Sequence, residues 1–169
     1  MSLYHKITSG WNQPNKVAII FEEKHITFGE IQQRTDRISL FLEQKDCIKG
    51  DIIGVQLSKS PLFLEIILAA LQMGVAIVPL NDSYTEEEVM FYALDAEIKI
   101  LISDRKYSDL KWISTLEIEG FINKQHIEIQ QNKKLINGKY HSISENGSLN
   151  LINQGVVKNF LNGDIVNIY

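Results

Sequence analysis

The 169-residue chain is 44% hydrophobic and 22% charged, with 10 glycines and 3 prolines, proportions that exclude a disordered or fibrous protein. Its 17 basic residues are spread among 21 acidic ones for a formal charge of -4, which leaves no basic stripe and excludes nucleic-acid binding as a main role. The length suits one domain over residues 1–169, and the single cysteine, Cys47, closes no internal disulfide, so the expected location is cytoplasmic.

The opening has no apolar run of the roughly 7 to 15 residues that a secretory signal uses. It reads as a loose helix-like segment up to Trp11. Without a secretion signal, the sequons at Asn81-Asp82-Ser83 and Asn146-Gly147-Ser148 read as chance matches. Pro14 leads into the β-rich run Val17 to Phe21, and the polar Glu22-Glu23-Lys24 turns back into His25-Ile26-Thr27, a hairpin. Thr27 and Glu30 stand at capping-box spacing before apolar positions Ile31, Ile38, Phe41 and Leu42, which predicts a helix ending near Gln44 to Asp46. Arg34, Asp36 and Arg37 are assigned to its wet side.

After the Lys49-Gly50-Asp51 turn, Ile52 to Leu57 is too continuously apolar for a half-exposed strand and suits a sheet covered on both faces. Leu62 to Leu80 is nearly apolar, with Glu65 and Gln72 its strongly polar residues, and it is about as long as the ~20 residues of a membrane span. Local signals split it. Ser60-Pro61 reads as a cap and first helical residue, Gly74 as a helix stop, and Ile77-Val78-Pro79 as a finishing strand, so a buried helix and a buried strand are expected and no transmembrane segment.

Thr85 and Glu88 repeat the capping box and open a helix to about Ala96, before a strand at Ile98 to Ile102. Strands and helices thus alternate over residues 50 to 103, the rhythm of an α/β layered, mostly parallel sheet flanked by helices. Beyond Asp104 the signal weakens. A helix near Lys106 to Ser114, a strand near Ile127 to Ile129, turns at Asn137-Gly138 and Asn146-Gly147 and an apolar run at Ile165 to Tyr169 are expected there.

Chemistry is harder to find. Neither G-x-G-x-x-G nor G-x-x-x-x-G-K-[ST] occurs, so no phosphate cradle is expected. His5, His25, His126 and His141 lie far apart and never four apart, which argues against zinc. Cys47 has no histidine near it in sequence and reads as an ordinary cysteine. Glu86-Glu87-Glu88 reads as first-turn capping acid and Asp51 as a turn residue bonding its own backbone. Lys59-Ser60-Pro61 is the one junction where an anion could meet helix N–H groups, a reading ranked well below a plain helix cap. No catalytic, cofactor-binding or metal residue is assigned.

Several segments, taken in order, resemble the opening third of the adenylate-forming enzymes, which include acyl-CoA synthetases, aryl-CoA ligases and peptide-synthetase adenylation domains. Pro14 to Ile19 resembles that family's entry segment. Ile26-Thr27-Phe28-Gly29-Glu30-Ile31 resembles its first core motif, LTYxEL, and Lys49-Gly50-Asp51 with Ile52 to Leu57 its glycine-aspartate strand. Ala70 to Asn81 is similar to the second motif, LKAGAAYVPLD or VPLN, and Tyr84 to Val89 and Asp95 to Asp104 continue in register. Asp82-Ser83, where a proline is common, and Ile77, where an aromatic is frequent, depart from the pattern.

The resemblance implies the N-terminal subdomain of the acyl-CoA synthetase-like fold. It implies a fragment of an ATP-dependent acyl- or aryl-CoA ligase that uses ATP, Mg2+ and coenzyme A on a carboxylic acid, as in fatty-acid activation. Asn81 and Tyr84-Thr85 resemble the CoA ligases more than the amino-acid-activating adenylation domains, which remain an alternative. The family's Ser/Thr/Gly-rich loop, ribose and magnesium acids and catalytic lysine match nothing here. The expectation is therefore a chain ending at Tyr169 just before that loop, inactive alone, with exposed sheet edges suited to a homodimer. A non-enzymatic flavodoxin- or receiver-like module is the other alternative. For a receiver, Asp51 precedes its strand and only Asp104 follows one, a poor match.

Overall fold

Local capping chemistry sets where the first helices begin. In the computed structural model, which describes residues 2–107, 111–122, 126–131, 133–143, 148–160 and 164–168, α1 (Leu3–Thr8) starts at Ser2, whose hydroxyl accepts from the His5 N–H. Strands β1 (Val17–Phe21) and β2 (Lys24–Thr27) form the expected hairpin, with Phe21 opposite Lys24. Its two turn residues, Glu22 and Glu23, both have positive φ, 47° and 66°. That backbone favours Asn-Gly over two glutamates. Glu22→Asn/Glu23→Gly is therefore expected to raise stability by about 1 kcal/mol, read as a shift of the urea midpoint at constant slope.

Helix α2 (Phe28–Gln44) opens with the capping box: the Glu30 N–H donates to Thr27 Oγ1 at 3.2 Å, and the Thr27 N–H to Glu30 Oε2 at 2.8 Å. These bonds, the Thr27 N–H first, hold the Glu30 carboxyl below the usual carboxylate range. A lowered folded pKa means the contribution is present above the unfolded value and lost as pH falls through the folded one. Thr27→Ala should cost about 1 kcal/mol at neutral pH. Glu30→Gln should flatten the acid limb of the stability profile, measured by denaturant unfolding across pH.

Residues 52–114 build one parallel sheet. Strand β3 (Ile52–Gln56) leads to α3 (Pro61–Met73), β4 (Ala76–Pro79), α4 (Glu86–Asp95), β5 (Ile100–Ser103) and β6 (Trp112–Ser114), in spatial order β4-β3-β5-β6. The run expected to be covered on both faces is so: Ile53, Val55, Ile100, Leu101 and Ile102 are fully buried. The apolar stretch 62–80 divides as expected. Ser60 Oγ accepts from the Phe63 N–H at 3.3 Å, and Gly74 closes α3 in the left-handed region at φ 73°, where a side chain would be strained. Among the described residues no helix is long and apolar enough to cross a membrane.

Three expectations need correction. The helix near Lys106 to Ser114 is not seen: residues 108–110 lie outside the described residues, and Trp112–Ser114 is strand β6, pairing with Leu101–Ser103. Tertiary pairing gives β5 its second neighbour, and the helix, α5 (Thr115–Ile122), begins only afterwards. Asn137-Gly138 is not a turn but lies inside a strand opposite Ile127 and Glu128. A Cβ on Gly138 would come within 2.7 Å of the Leu151 Cβ, so glycine serves close strand packing there. Asn146-Gly147 lies outside the described residues.

The third concerns α2. Asp36 is buried at 2% exposure, and Arg34 turns inward to Glu65, which is fully buried on α3. Gln72 Nε2 donates to Asp36 Oδ1 at 2.9 Å and accepts from Ser39 Oγ at 2.8 Å through its Oε1. Gln32 Nε2 donates to Asp36 Oδ1 at 3.0 Å and also meets the Tyr4 hydroxyl. Burial, with Asp36 adding, pushes the Tyr4 phenol up to about 12. The two polar residues that interrupt the apolar run, Glu65 and Gln72, are thus the α3 half of a buried polar seam against α2.

The chain groups into two compact units, Met1–Ile118 and Glu119–Tyr169. The second is an antiparallel sheet of β7 (His126–Gln131), β8 (Lys134–Ile143), β9 (Leu149–Asn153), β10 (Val156–Phe160) and β11 (Asp164–Ile168), in order β10-β9-β8-β7-β11. The strand expected at 127–129 falls in β7 and the apolar run from 165 in β11. Ile127, Ile129, Tyr140, Leu149, Leu151 and Phe160 are its buried hydrophobic side chains.

Candidate functional site

The parallel sheet has one place where connections leave in opposite directions. From β3 the chain goes out to β4, then returns across β3 to β5, so the β3 and β5 carboxyl ends flank a topological switch point. Open α/β sheets form their ligand crevices there. A cleft of about 340 Å³ does open at these ends, lined by Gln56, Ser58, Asp82, Ser83, Asp104 and Arg105.

Gln56, the last residue of β3 and 3% exposed, organises the cleft. Its Nε2 donates to the carbonyls of Asn81 and Tyr84 at 3.1 Å each, and its Oε1 accepts from Ser103 Oγ at 3.3 Å and from the Tyr107 hydroxyl. One amide thus ties the loop after β4 to the end of β5. Arg105 Nη1 adds a bond to the Tyr84 carbonyl at 2.9 Å, and Ser58 Oγ donates to Asp82 Oδ2 at 3.2 Å. Thr115 Oγ1 donates to Asp104 Oδ1 at 2.6 Å. The walls are fixed by hydrogen bonds, and no histidine or cysteine stands among the lining residues.

Residues weighed from sequence fall elsewhere. Cys47 is fully buried, and burial first, then the Asp51 carboxylate, pushes its thiol up, the reverse of nucleophile activation. Asp51 accepts from Lys99 Nζ at 2.6 Å and from the Ile48 N–H at 2.8 Å, and these bonds hold its carboxyl low. It precedes β3 while Asp104 follows β5, so the parallel strands put the two acids at opposite ends of the sheet. Glu88 is spent on the cap of α4, its Oε2 accepting from the Thr85 N–H at 2.8 Å, and Ser60 on that of α3. His5 bonds Ser2 on α1. The cleft residues were missed as a set, although Gln56, Asp82 and Asp104 each sit at or just after a strand end, which is the signal that finds them.

A family profile described as AMP-binding enzyme matches residues 9–149. The chain belongs to this family. It is similar to gramicidin S synthase 2 of Brevibacillus brevis, 31% identical over 96 residues, 57% of this chain and 2% of that protein. Among solved structures it resembles ATP-bound MatB from Rhodopseudomonas palustris, at 30% identity and TM-score 0.58 over 60% of this chain and 21% of that one. It shares the fold of NpsA-ThdA, an artificially fused adenylation-PCP di-domain of a peptide synthetase from Klebsiella oxytoca, at 23% identity and TM-score 0.66 over 91% of this chain and 28% of that one. The chain spans only a few per cent of the curated relatives it matches.

The residues present do not fit the ATP and Mg2+ that AMP-binding enzymes imply. No glycine-rich loop occurs in the 169 residues, and the cleft's one cation, Arg105, stands beside two carboxylates with a donor already on Tyr84. Among the described residues no three His, Cys, Asp or Glu side chains come together for a metal.

Proposed function

We propose that this chain supplies α/β scaffold to an acid-activating, adenylate-forming protein and does not itself carry the groups that hold ATP. The family match over 9–149, set against a sequence without a phosphate loop, carries this reading. In the intact protein a carboxylate oxygen would attack the α-phosphorus of ATP, releasing pyrophosphate and leaving a mixed anhydride open to a thiol. The cleft beside Gln56 would then be a wall of the larger site.

The acceptor thiol divides two readings. Asn81 and Tyr84-Thr85 support coenzyme A, whereas the likeness to gramicidin S synthase 2 and NpsA-ThdA supports an adenylation domain that loads a carrier. The second has the more relatives behind it, and nothing among them supports a role in fatty-acid metabolism. The purified 169-residue chain is expected to release no pyrophosphate from ATP with any acid. Sustained release would overturn the scaffold reading. The acceptor is settled on a chain that does carry the phosphate loop, by whether the acyl group appears on free coenzyme A or on a carrier's phosphopantetheine.

A further inference from the structure

We propose that the outward face of α4 is a docking surface for a basic protein segment that seats an apolar side chain on it. Of its ten residues α4 buries only Val89 and Ala93, four apart, against Leu80, Ile98 and Leu101. Its other side shows Phe91 at 64%, Leu94 at 71% and Tyr92 at 38% exposure. Phe91 and Leu94, three apart, share one face. The Phe91 ring meets Tyr92 edge-on at 5.5 Å, and Tyr92 stacks on Tyr84 at 5.2 Å, so the aromatic row runs from the helix onto the cleft loop. Single exposed apolar residues are ordinary, but a continuous row is the mark of a contact surface.

The charges around the row select the occupant. Residues 85–97 hold Glu86, Glu87, Glu88, Asp95 and Glu97 and no lysine or arginine. The first three suit the positive end of the helix, but Asp95 and Glu97 sit at its negative end, where acid is unfavourable. Glu87 and Asp95 lie four residues either side of Phe91 and flank it on its own face. Such a rim repels nucleic acid and anionic lipid surfaces. A second copy pairing through a two-fold axis would set the acidic rim against itself. A protein segment with Lys or Arg around an aromatic or aliphatic anchor meets both features. The helix face is about 15 Å long, which places the contact in the small, transient class with affinity on the order of micromolar.

The test uses the full chain and two synthetic amphipathic peptides, one of Leu, Trp and Lys, the other with every Lys replaced by Glu, titrated at low and high salt. The Lys peptide should bind, more weakly as salt rises, and the Glu peptide should not. Phe91→Ser/Leu94→Ser should weaken binding at least about tenfold while the melting temperature falls by no more than a few degrees, since both side chains are exposed. Glu87→Lys/Asp95→Lys should reverse the preference between the peptides, and Val156→Ser should change nothing. Equal binding of both peptides, or insensitivity to the Phe91/Leu94 pair, overturns the proposal. So does self-association, or binding to phosphatidylserine vesicles, that the same pair abolishes.

Discussion

Replacing Gln56 by leucine should lower the stability of the first unit by about 1 to 3 kcal/mol. Leucine is near glutamine in size, so the loss is one of hydrogen bonding and not of packing. It takes from Tyr107, 4% exposed, the acceptor of its hydroxyl, while Ser103 Oγ still accepts from the Arg105 N–H at 3.0 Å and the Asn81 carbonyl from the Tyr84 N–H at 3.1 Å. The Tyr84 carbonyl keeps its bond from Arg105. Each buried group left without a partner costs about 1 to 3 kcal/mol, and the adjacent cleft admits water to relieve part of it. Both tryptophans, Trp11 and Trp112, lie in residues 1–118, so their fluorescence in urea reads this unit directly. Gln56→Glu separates the two halves of the clamp: it still accepts from Ser103 and Tyr107 but no longer donates to the two carbonyls. Amide exchange should then quicken at 81–84 and stay slow at 100–103. A loss below about 1 kcal/mol for Gln56→Leu would mean that the loop is held by Arg105 and its own turns, and that Gln56 is incidental to the cleft.

Elements written in neighbouring residues were legible from the sequence. Both capping boxes, the Ser60-Pro61 start, the Gly74 stop and the buried β3 depend on chemistry within a turn or on unbroken apolar character. The cleft was not, because its lining comes from three strand ends, and Gln56 finds its partners 25 to 51 residues away. Asp36 misled for the same reason. A charged residue on a helix reads as solvent-facing until the facing helix is known, and the Gln72 amide that donates to it is 36 residues on. Trp112–Ser114 takes its strand form from β5, a neighbour that no window around it contains.

The same seam yields the other large effect. Arg34 Nε donates to both Glu65 oxygens at 2.8 Å, and the Glu65 side chain is wholly buried while that of Arg34 is 29% exposed. The pair is therefore asymmetric: arginine keeps some contact with water when the partner is lost, and glutamate does not. Arg34→Met should cost about 3 to 5 kcal/mol, because a buried carboxylate loses its nearest compensation. Glu65→Leu should cost less, since it removes the buried charge and leaves a half-exposed guanidinium. The double variant Arg34→Met/Glu65→Leu should be more stable than Arg34→Met alone, as apolar groups of similar size often replace a buried pair at little loss. The resulting cycle should give a coupling of about 2 kcal/mol, from urea unfolding followed by tryptophan fluorescence. Additive single effects would show that the pair is held in place by the α2 and α3 backbones without itself specifying how these helices face each other. A clear coupling means that Glu65, embedded in an otherwise apolar helix, selects the rotation of α3 that presents Gln72 to Asp36 and Ser39.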